Sequence, residues 1–311
     1  MENYQAALNY ETLVLALGRA DSYCIPLFEE IAQHCDIEEA LPYNVSIYSE
    51  VSEVSDLILG ECYLKCRAAF EKLQPEVEII DSKSPYWPKA VSGVRYLYLI
   101  GNKELLLQPS ISVVGTRSPS SRGSQLTQEV VKALGESGFA IVSGLAKGVD
   151  GIAHIAALAQ NFSTIGVIGT SVCEVYPREH EKLQALVAQH GLLVSQFAPS
   201  RQVQRYFFMQ RNQLMSEISL GSFVVEDRDG GGAVQQALYS QKQGKKVFVL
   251  KEVHENRTFL WPRKLENIVV VNSTTNAGKV VKKALGEENR AEKAPISRGK
   301  KLDPQIQPEL F

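Results

Sequence analysis

Residues 139–158, FAIVSGLAKGVDGIAHIAAL, decide the fold of this chain. The apolar run at 139–142 has the length and composition of a strand that is buried on both faces. Gly144 and Gly148 bound the loop that follows, and apolar residues then recur at helical spacing over 150–159. A buried strand, a glycine-containing loop and a helix form the first half of a βαβ unit, so this stretch predicts a parallel sheet.

The same alternation extends on both sides of this stretch. Short apolar strands separated by helices predict an α/β protein with an extended Rossmann-like parallel sheet, and such sheets bind ligands at the carboxyl ends of their strands. A loop is predicted at 197–209. The further strands are predicted at residues 96–100, 111–114, 164–168, 192–194, 222–225, 246–250 and 268–271, and the helices at 121–136, 178–189, 211–219, 233–243 and 275–285.

The chain divides into three predicted regions. Residues 1–80 carry apolar residues at mixed helical spacings and few strand signals, which predicts a small helical N-terminal domain. Residues 81–285 contain the Rossmann-like domain. Residues 286–311 are polar, charged and proline-containing, and we expect them to form a disordered tail.

Composition narrows the class of protein. Of the 311 residues, 44% are hydrophobic and 22% charged, as in soluble globular proteins. The net charge of −2 excludes a globally basic DNA-coating protein, so any nucleic-acid contact must come from a local patch. The sequence contains neither a long apolar membrane span nor a signal peptide. Five scattered cysteines fit a reducing compartment, and we expect a cytoplasmic protein.

No metal or cofactor is expected. Cys62 and Cys66 are four residues apart, but no second ligand pair accompanies them, which favours buried thiols over a zinc site. His154 follows Asp150 by four residues. It is either a general base or metal ligand, or a structural histidine that bonds Asp150 or a nearby loop; the structural role is favoured because no nucleophile is evident.

Glycine clusters follow several predicted strands. One such cluster is explained by a tight turn, but several at the same end of one sheet indicate a binding surface. Helix N-termini there present unpaired N–H groups, and glycine lets a phosphate approach the backbone. Neither a G-x-G-x-x-G element after the first strand nor a P-loop is present, which argues against NAD and ATP. The clusters are Gly115, Gly144 with Gly148, Gly169, and Gly230 to Gly232.

Cationic and aromatic residues accompany these loops. Arg117, beside Ser118, is predicted to contact phosphate, the alternative being a solvated loop arginine. Lys147 can act as a point charge on phosphate. Basic residues around aromatic rings are typical of single-strand binding, although Phe207 or Phe208 can equally belong to the core. The residues that flank Tyr206, Phe207 and Phe208 are Arg201, Arg205, Arg211 and Asn212.

An acidic pair, Glu226 and Asp227, follows the predicted strand at 222–225. Acids at this position bind a ribose hydroxyl or a metal, or accept hydrogen bonds from loop amides. The sequence does not discriminate between these roles.

Together these stretches resemble the DNA-processing protein A (DprA) family. The similarity covers residues 84–250 and is strongest in V-S-G-L-A-K-G-V-D-G-I-A-H-I-A-A-L at 142–158. The other similar blocks are S-P-Y-W-P at 84–88, L-Y-L-I-G-N at 97–102, S-V-V-G-T-R at 112–117, T-I-G-V-I-G at 164–169, Y-P-R-E-H at 176–180, R-N at 211–212, V-V-E-D at 224–227 and Q-G-K-K-V-F-V at 243–249.

The resemblance implies a SAM-like helical module before a Rossmann-like domain, and a non-catalytic protein that binds single-stranded DNA. It further implies homodimers and the loading of a RecA-like recombinase during natural transformation and DNA recombination. On the resemblance and the loop pattern together, the expected DNA or phosphate site comprises Gly115, Arg117, Ser118, Gly144, Lys147, Gly148, Phe207, Phe208, Arg211, Asn212 and Gly231.

The chain departs from the family after residue 195. Gln196, Gln213 and the Gly230–Gly232 loop replace the usual glutamate, arginine and Ser-Gly-Ser, and Leu250-Lys251 replaces Pro-Gly. This indicates a divergent member with altered partners, in a defence or mobile-element context. The alternative function is a sensor or hydrolase of a nucleotide-derived small molecule, since lysine-decarboxylase-like phosphoribohydrolases share the fold. Glutamine stands where those enzymes need a glutamate, and an amide cannot act as a base.

Overall fold

A single large sheet organises the structure, a computed structural model that describes residues 2–256, 258 and 260–286. Within these residues nine strands pair in the order β1-β2-β6-β5-β4-β3-β7-β8-β9. The strands are β1 (Glu78–Ile80), β2 (Leu97–Gly101), β3 (Ser110–Val114), β4 (Ala140–Ser143), β5 (Thr164–Val167), β6 (Leu192–Ser195), β7 (Gly221–Val224), β8 (Lys246–Leu250) and β9 (Ile268–Val271).

The predicted parallel sheet is confirmed from β6 across to β9, where all neighbouring strands run parallel. β2 and β1 extend it in the antiparallel sense, with Leu99 opposite Val194 of β6 and Glu78 opposite Leu99. β1 lies inside the segment expected to be helical, so that expectation is wrong at 78–80. Three residues are too few to display a strand period in sequence.

Twelve α-helices flank the sheet in the described part of the chain. α8 begins at Phe207, four residues earlier than predicted, so the aromatic residues placed in a loop occupy its first turn. The helices are α1 (Tyr4–Leu17), α2 (Asp21–His34), α3 (Val45–Ser52), α4 (Asp56–Phe70), α5 (Ser121–Glu136), α6 (Val149–Ala159), α7 (Glu181–His190), α8 (Phe207–Ile218), α9 (Gly232–Lys242), α10 (Lys251–His254), α11 (Trp261–Lys264) and α12 (Ala277–Leu285).

The N-terminal helices do not stand apart from the sheet, because α1 and α4 contact it and the segment before β2. The ring of Tyr10 meets Tyr96 edge-on with centroids 5.9 Å apart, and Phe70 meets Tyr98 of β2 at 6.3 Å. All four rings are almost fully buried. Each buried aromatic side chain contributes about 1.5–3 kcal/mol to stability. One apolar core therefore joins the helical segment to the face of β2.

α12 ends at Leu285, and the following Gly286 has a φ of 69°, the left-handed conformation of a helix cap that glycine adopts without strain. The rest of the tail that we expect to be disordered, residues 287–311, lies outside the described residues. Within the residues that are described, none of the helices combines the length and the apolar character that crossing a bilayer requires.

Candidate nucleic-acid interface

A groove of about 450 Å³ lies at the carboxyl ends of the parallel strands. A narrower cleft adjoins it and shares Arg117, Phe208 and Arg211 with it. Among the residues predicted for the site, the groove brings together Gly115, Arg117, Ser118, Phe208, Arg211, Asn212 and Gly231, and the cleft adds Gly144 and Lys147. Gly148 and Phe207 line neither.

The glycines are required by the way the loops pack on one another. Gly148 has a φ of 75°, and a Cβ there would lie 2.4 Å from the carbonyl oxygen of Thr116. A Cβ on Gly144 would overlap the guanidinium of Arg211. Substitution would therefore displace backbone at Gly148 and a buried charge at Gly144, so close packing of the loops accounts for both glycines without a ligand.

Acidic side chains occupy two helix N-termini at this end of the sheet. Glu226 accepts hydrogen bonds from the amide and the hydroxyl of Ser120, which caps α5. Asp227 accepts from the amides of Ala233 and Val234 at 2.9 and 3.2 Å, in the first turn of α9. Of the roles left open for this acidic pair, the structure shows acceptance from loop amides and helix N-termini. These amides are not free for phosphate.

Arg211 and Asp150 lie buried beneath the groove. One Nη of Arg211 donates to the carbonyl oxygens of Gly144 and Val167, which joins the loops after β4 and β5. Burial lowers the pKa of Arg211, and the negative charge of the neighbouring Asp150 partly offsets this decrease. Burial also raises the pKa of Asp150, and the Arg211 charge and the amides of Ala146 and Gly144 act against that rise. Arg211 thus organises the floor of the groove.

The exposed cations that line the groove or its cleft are Arg117, Lys147 and Arg228. Arg117 is exposed, and no carboxylate of the described residues lies within ion-pair distance of it. Lys147 Nζ lies 2.6 Å from a carboxylate oxygen of Glu179, and both side chains are about half exposed. Because exposed pairs of this kind are weak, Lys147 can exchange Glu179 for another anion.

The two adjacent phenylalanines have different surroundings. Phe207 is buried and its ring stacks on Phe197, with centroids 4.1 Å apart and planes 10° apart. Phe208 lines the groove, with its centroid 5.1 Å from that of the exposed Tyr176. Sequence reasoning missed Tyr176 as a site residue, although it begins the Y-P-R-E-H block and follows β5. Phe208 is half-buried, and Tyr206 is exposed like Tyr176.

The predicted basic strip is wrong at Arg201. This side chain is only 13% exposed and forms bidentate ion pairs with Glu11 of α1 and Asp21 of α2. The partners are 190 and 180 residues away in sequence, so no local pattern could reveal them. Arg205 is exposed, as a contact with a polyanion requires.

His154 is a structural histidine, but Asp150 is not its partner. Its Nδ1 lies 2.8 Å from the hydroxyl of Thr164, and burial lowers its pKa to about 3. Cys62 and Cys66 are buried thiols, and burial raises the pKa of Cys66 to about 12. Across the described ranges, no group of three or more His, Cys, Asp or Glu side chains has an arrangement that fits a metal ion.

Comparison with known proteins bears on this geometry. A sequence profile of the family described as DNA recombination-mediator protein A matches residues 78–274. The DNA processing protein DprA of Bacillus subtilis is 34% identical over 176 residues, which are 56% of this chain and 59% of that protein. The chain thus covers less than two thirds of that relative.

Two solved structures have the same fold. DNA processing protein A from Streptococcus pneumoniae superposes with a TM-score of 0.72 at 24% identity, over 90% of this chain and 97% of that one. DNA processing protein A from Helicobacter pylori, studied for its single-stranded DNA binding mode, gives a TM-score of 0.59 at 25% identity. The second match covers 67% of this chain and 96% of the other.

Proposed function

Because the chain belongs to the DNA recombination-mediator protein A family, we propose that it binds single-stranded DNA in the groove at the carboxyl ends of its parallel strands. One observation carries this proposal. Arg117, Lys147 and the aromatic ring of Phe208 converge on one groove and its adjoining cleft. Cations beside an accessible ring are what sequence-tolerant binding of single strands requires.

Side chains, rather than helix N-termini, hold the phosphates in this proposal. At the N-terminus of α5, the amide of Ser120 already donates to Glu226. In the first turn of α9, the amide of Ala233 already donates to Asp227. Arg117 is free to form charge-assisted hydrogen bonds to phosphate oxygens. Lys147 is available once phosphate replaces the carboxylate of Glu179. A site built on such cations binds a polyanion with marked dependence on salt.

The bases stack on the exposed aromatic surface. Phe208 and Tyr176 present adjacent rings beside the cationic rim. Stacking of a base on such a ring contributes about 1–3 kcal/mol and tolerates any base. Phe207, whose ring is covered by Phe197, supports the turn that carries Phe208.

The proposal is of a non-catalytic protein. Both carboxylates on the groove floor are engaged: Asp227 with the first-turn amides of α9, and Asp150 with loop amides and Arg211. Gln236 lines the groove, but its side chain is buried and its amide group lies beside the hydroxyls of Ser112 and Ser222. Nucleotide hydrolysis is therefore not favoured. The loading of a RecA-like recombinase and homodimerisation stay predictions of the family resemblance, for filament-assembly assays and sedimentation to test.

Titration of a fluorescent oligothymidylate at several salt concentrations tests the proposed site. Arg117→Ala and Lys147→Ala should each weaken binding and reduce the salt slope by about 0.7, the value for one phosphate contact on a single strand. Lys132→Ala is the control, because Lys132 pairs with Glu136 on α5 outside the groove. If the double variant Arg117→Ala/Lys147→Ala binds as tightly as Lys132→Ala, the site is wrong. Displacement of the oligonucleotide by a mononucleotide at equal concentration would favour the small-molecule alternative.

A further inference from the structure

Arg201 forms ion pairs with two carboxylates of the N-terminal helices and so joins them to the Rossmann-like part. Its Nε and Nη2 donate to Glu11 at 2.7 Å, and Nη1 and Nη2 donate to Asp21 at 2.7 and 2.6 Å. The hydroxyl of Tyr10 donates to Asp21 as well, at 2.6 Å. We name Arg201, Glu11 and Asp21 the Arg201 latch.

The latch is shielded from solvent. The Arg201 and Glu11 side chains are 13% and 3% exposed. Burial alone lowers the pKa of Arg201, but the two carboxylates more than offset this and hold its pKa well above the ordinary value. Bidentate pairs fix the guanidinium in orientation as well as position. Arg201 is therefore held in one place relative to α1 and α2.

The same residue belongs to the segment that leads into the candidate site. Residues 196–206 connect β6 to α8, whose first turn carries Phe207 and Phe208. The segment is fixed by the stack of Phe197 on Phe207 and by Arg201 in the latch. The residues that follow, 202–206, are exposed.

We infer that Arg201 is a positioning residue through which the N-terminal helices set the placement of the 196–206 segment and of the aromatic rings at the start of α8. Arg201 itself is buried in its ion pairs and does not contact the ligand. The inference rests on the proposed DNA-binding function only where binding of DNA is the quantity measured. Coupling of this kind between two regions changes affinity by roughly five-fold or more.

Glu11→Gln tests the inference because its two possible effects on DNA affinity have opposite signs. Removing a negative charge from a protein by itself favours binding to a polyanion. Loosening the latch does the opposite, so Glu11→Gln should weaken binding of oligothymidylate by roughly five-fold or more with an unchanged salt slope. The control Glu71→Gln makes the same charge change in the exposed Arg67–Glu71 pair of the N-terminal helices and should not weaken binding.

A second readout needs no DNA. Tryptic cleavage after Arg205 requires local opening of the segment, so Glu11→Gln should accelerate it and Glu71→Gln should not. If Glu11→Gln does not fold by circular dichroism, Arg201→Lys, which keeps the charge and loses the bidentate geometry, replaces it with the same expectations.

Unchanged or tighter binding by the folded latch variant, or a reduced salt slope, overturns the inference. If the wild-type chain binds no single-stranded DNA, the proposed function fails. The tryptic cleavage rates then test the positioning role of the Arg201 latch without DNA. Faster cleavage of the latch variant supports this role, and an unchanged rate overturns it.

Discussion

Replacing Glu179 with glutamine is expected to strengthen binding of single-stranded DNA. Lys147 Nζ lies 2.6 Å from a carboxylate oxygen of Glu179 at the mouth of the cleft. A phosphate that engages Lys147 must displace this carboxylate. Glu179→Gln removes the competitor and keeps the size of the side chain, so Lys147 starts free of its ion pair.

The size of the gain follows from exposure. Both side chains are about half exposed, so solvent screens the pair. Such pairs are worth about 0.2–1 kcal/mol, which corresponds to a dissociation constant about 1.4- to 5-fold lower. Since screening lengths shorten with ionic strength, the gain should shrink as salt increases.

Fluorescence anisotropy with an oligothymidylate at low and high salt measures this gain. Glu181→Gln is the matched control, because it makes the same charge change two residues along the chain at an exposed position. In the Lys147→Ala background, Glu179→Gln should give no more than the control does. Equal effects of Glu179→Gln and Glu181→Gln in the wild-type background would refute the competition between carboxylate and phosphate.

Two further predictions concern the aromatic pair and the buried histidine. Phe208→Ala should weaken DNA binding by about 1–3 kcal/mol with little loss of stability, whereas Phe207→Ala should cost about 3–5 kcal/mol of unfolding free energy; reversed results in anisotropy and urea unfolding would contradict the assignment. Burial lowers the pKa of His154 to about 3. The unfolded chain, with a histidine pKa near 6.5, then binds more protons below pH 6.5. Stability should therefore fall by about 1.4 kcal/mol per pH unit from this group as pH decreases towards 3, and urea midpoints at pH 7 and 5 should differ less in His154→Gln.

The sheet could be predicted from sequence because its central strands are buried on both faces. The strand β4, with Phe139 before it, then reads as an uninterrupted apolar run that leads into a glycine-containing loop. β1 escaped prediction because it has three residues and is stabilised by pairing with β2. The predicted start of α8 was four residues too late because the aromatic residues of its first turn were assigned to the loop before it.

The residue types that form the site could be predicted from the sequence, but the ion-pair partners of its charged side chains could not. Arg117 and Arg201 have the same sequence appearance, each beside a small residue after a strand. Arg117 is exposed at the groove, whereas Arg201 is largely shielded from solvent and paired with carboxylates from α1 and α2. Which anion a cation meets is decided by tertiary packing over long sequence separations, and one sequence does not encode it in any local pattern.

The latch also has a consequence for hybrid proteins. The family profile begins at residue 78, so it leaves out the helices that carry Glu11 and Asp21. A graft that exchanges only these helices for those of a relative would leave Arg201 without its carboxylates unless both acids came with the donor. In a chimera, the N-terminal helices and the 196–206 segment should therefore come from the same parent, so that positions 11, 21 and 201 are exchanged together.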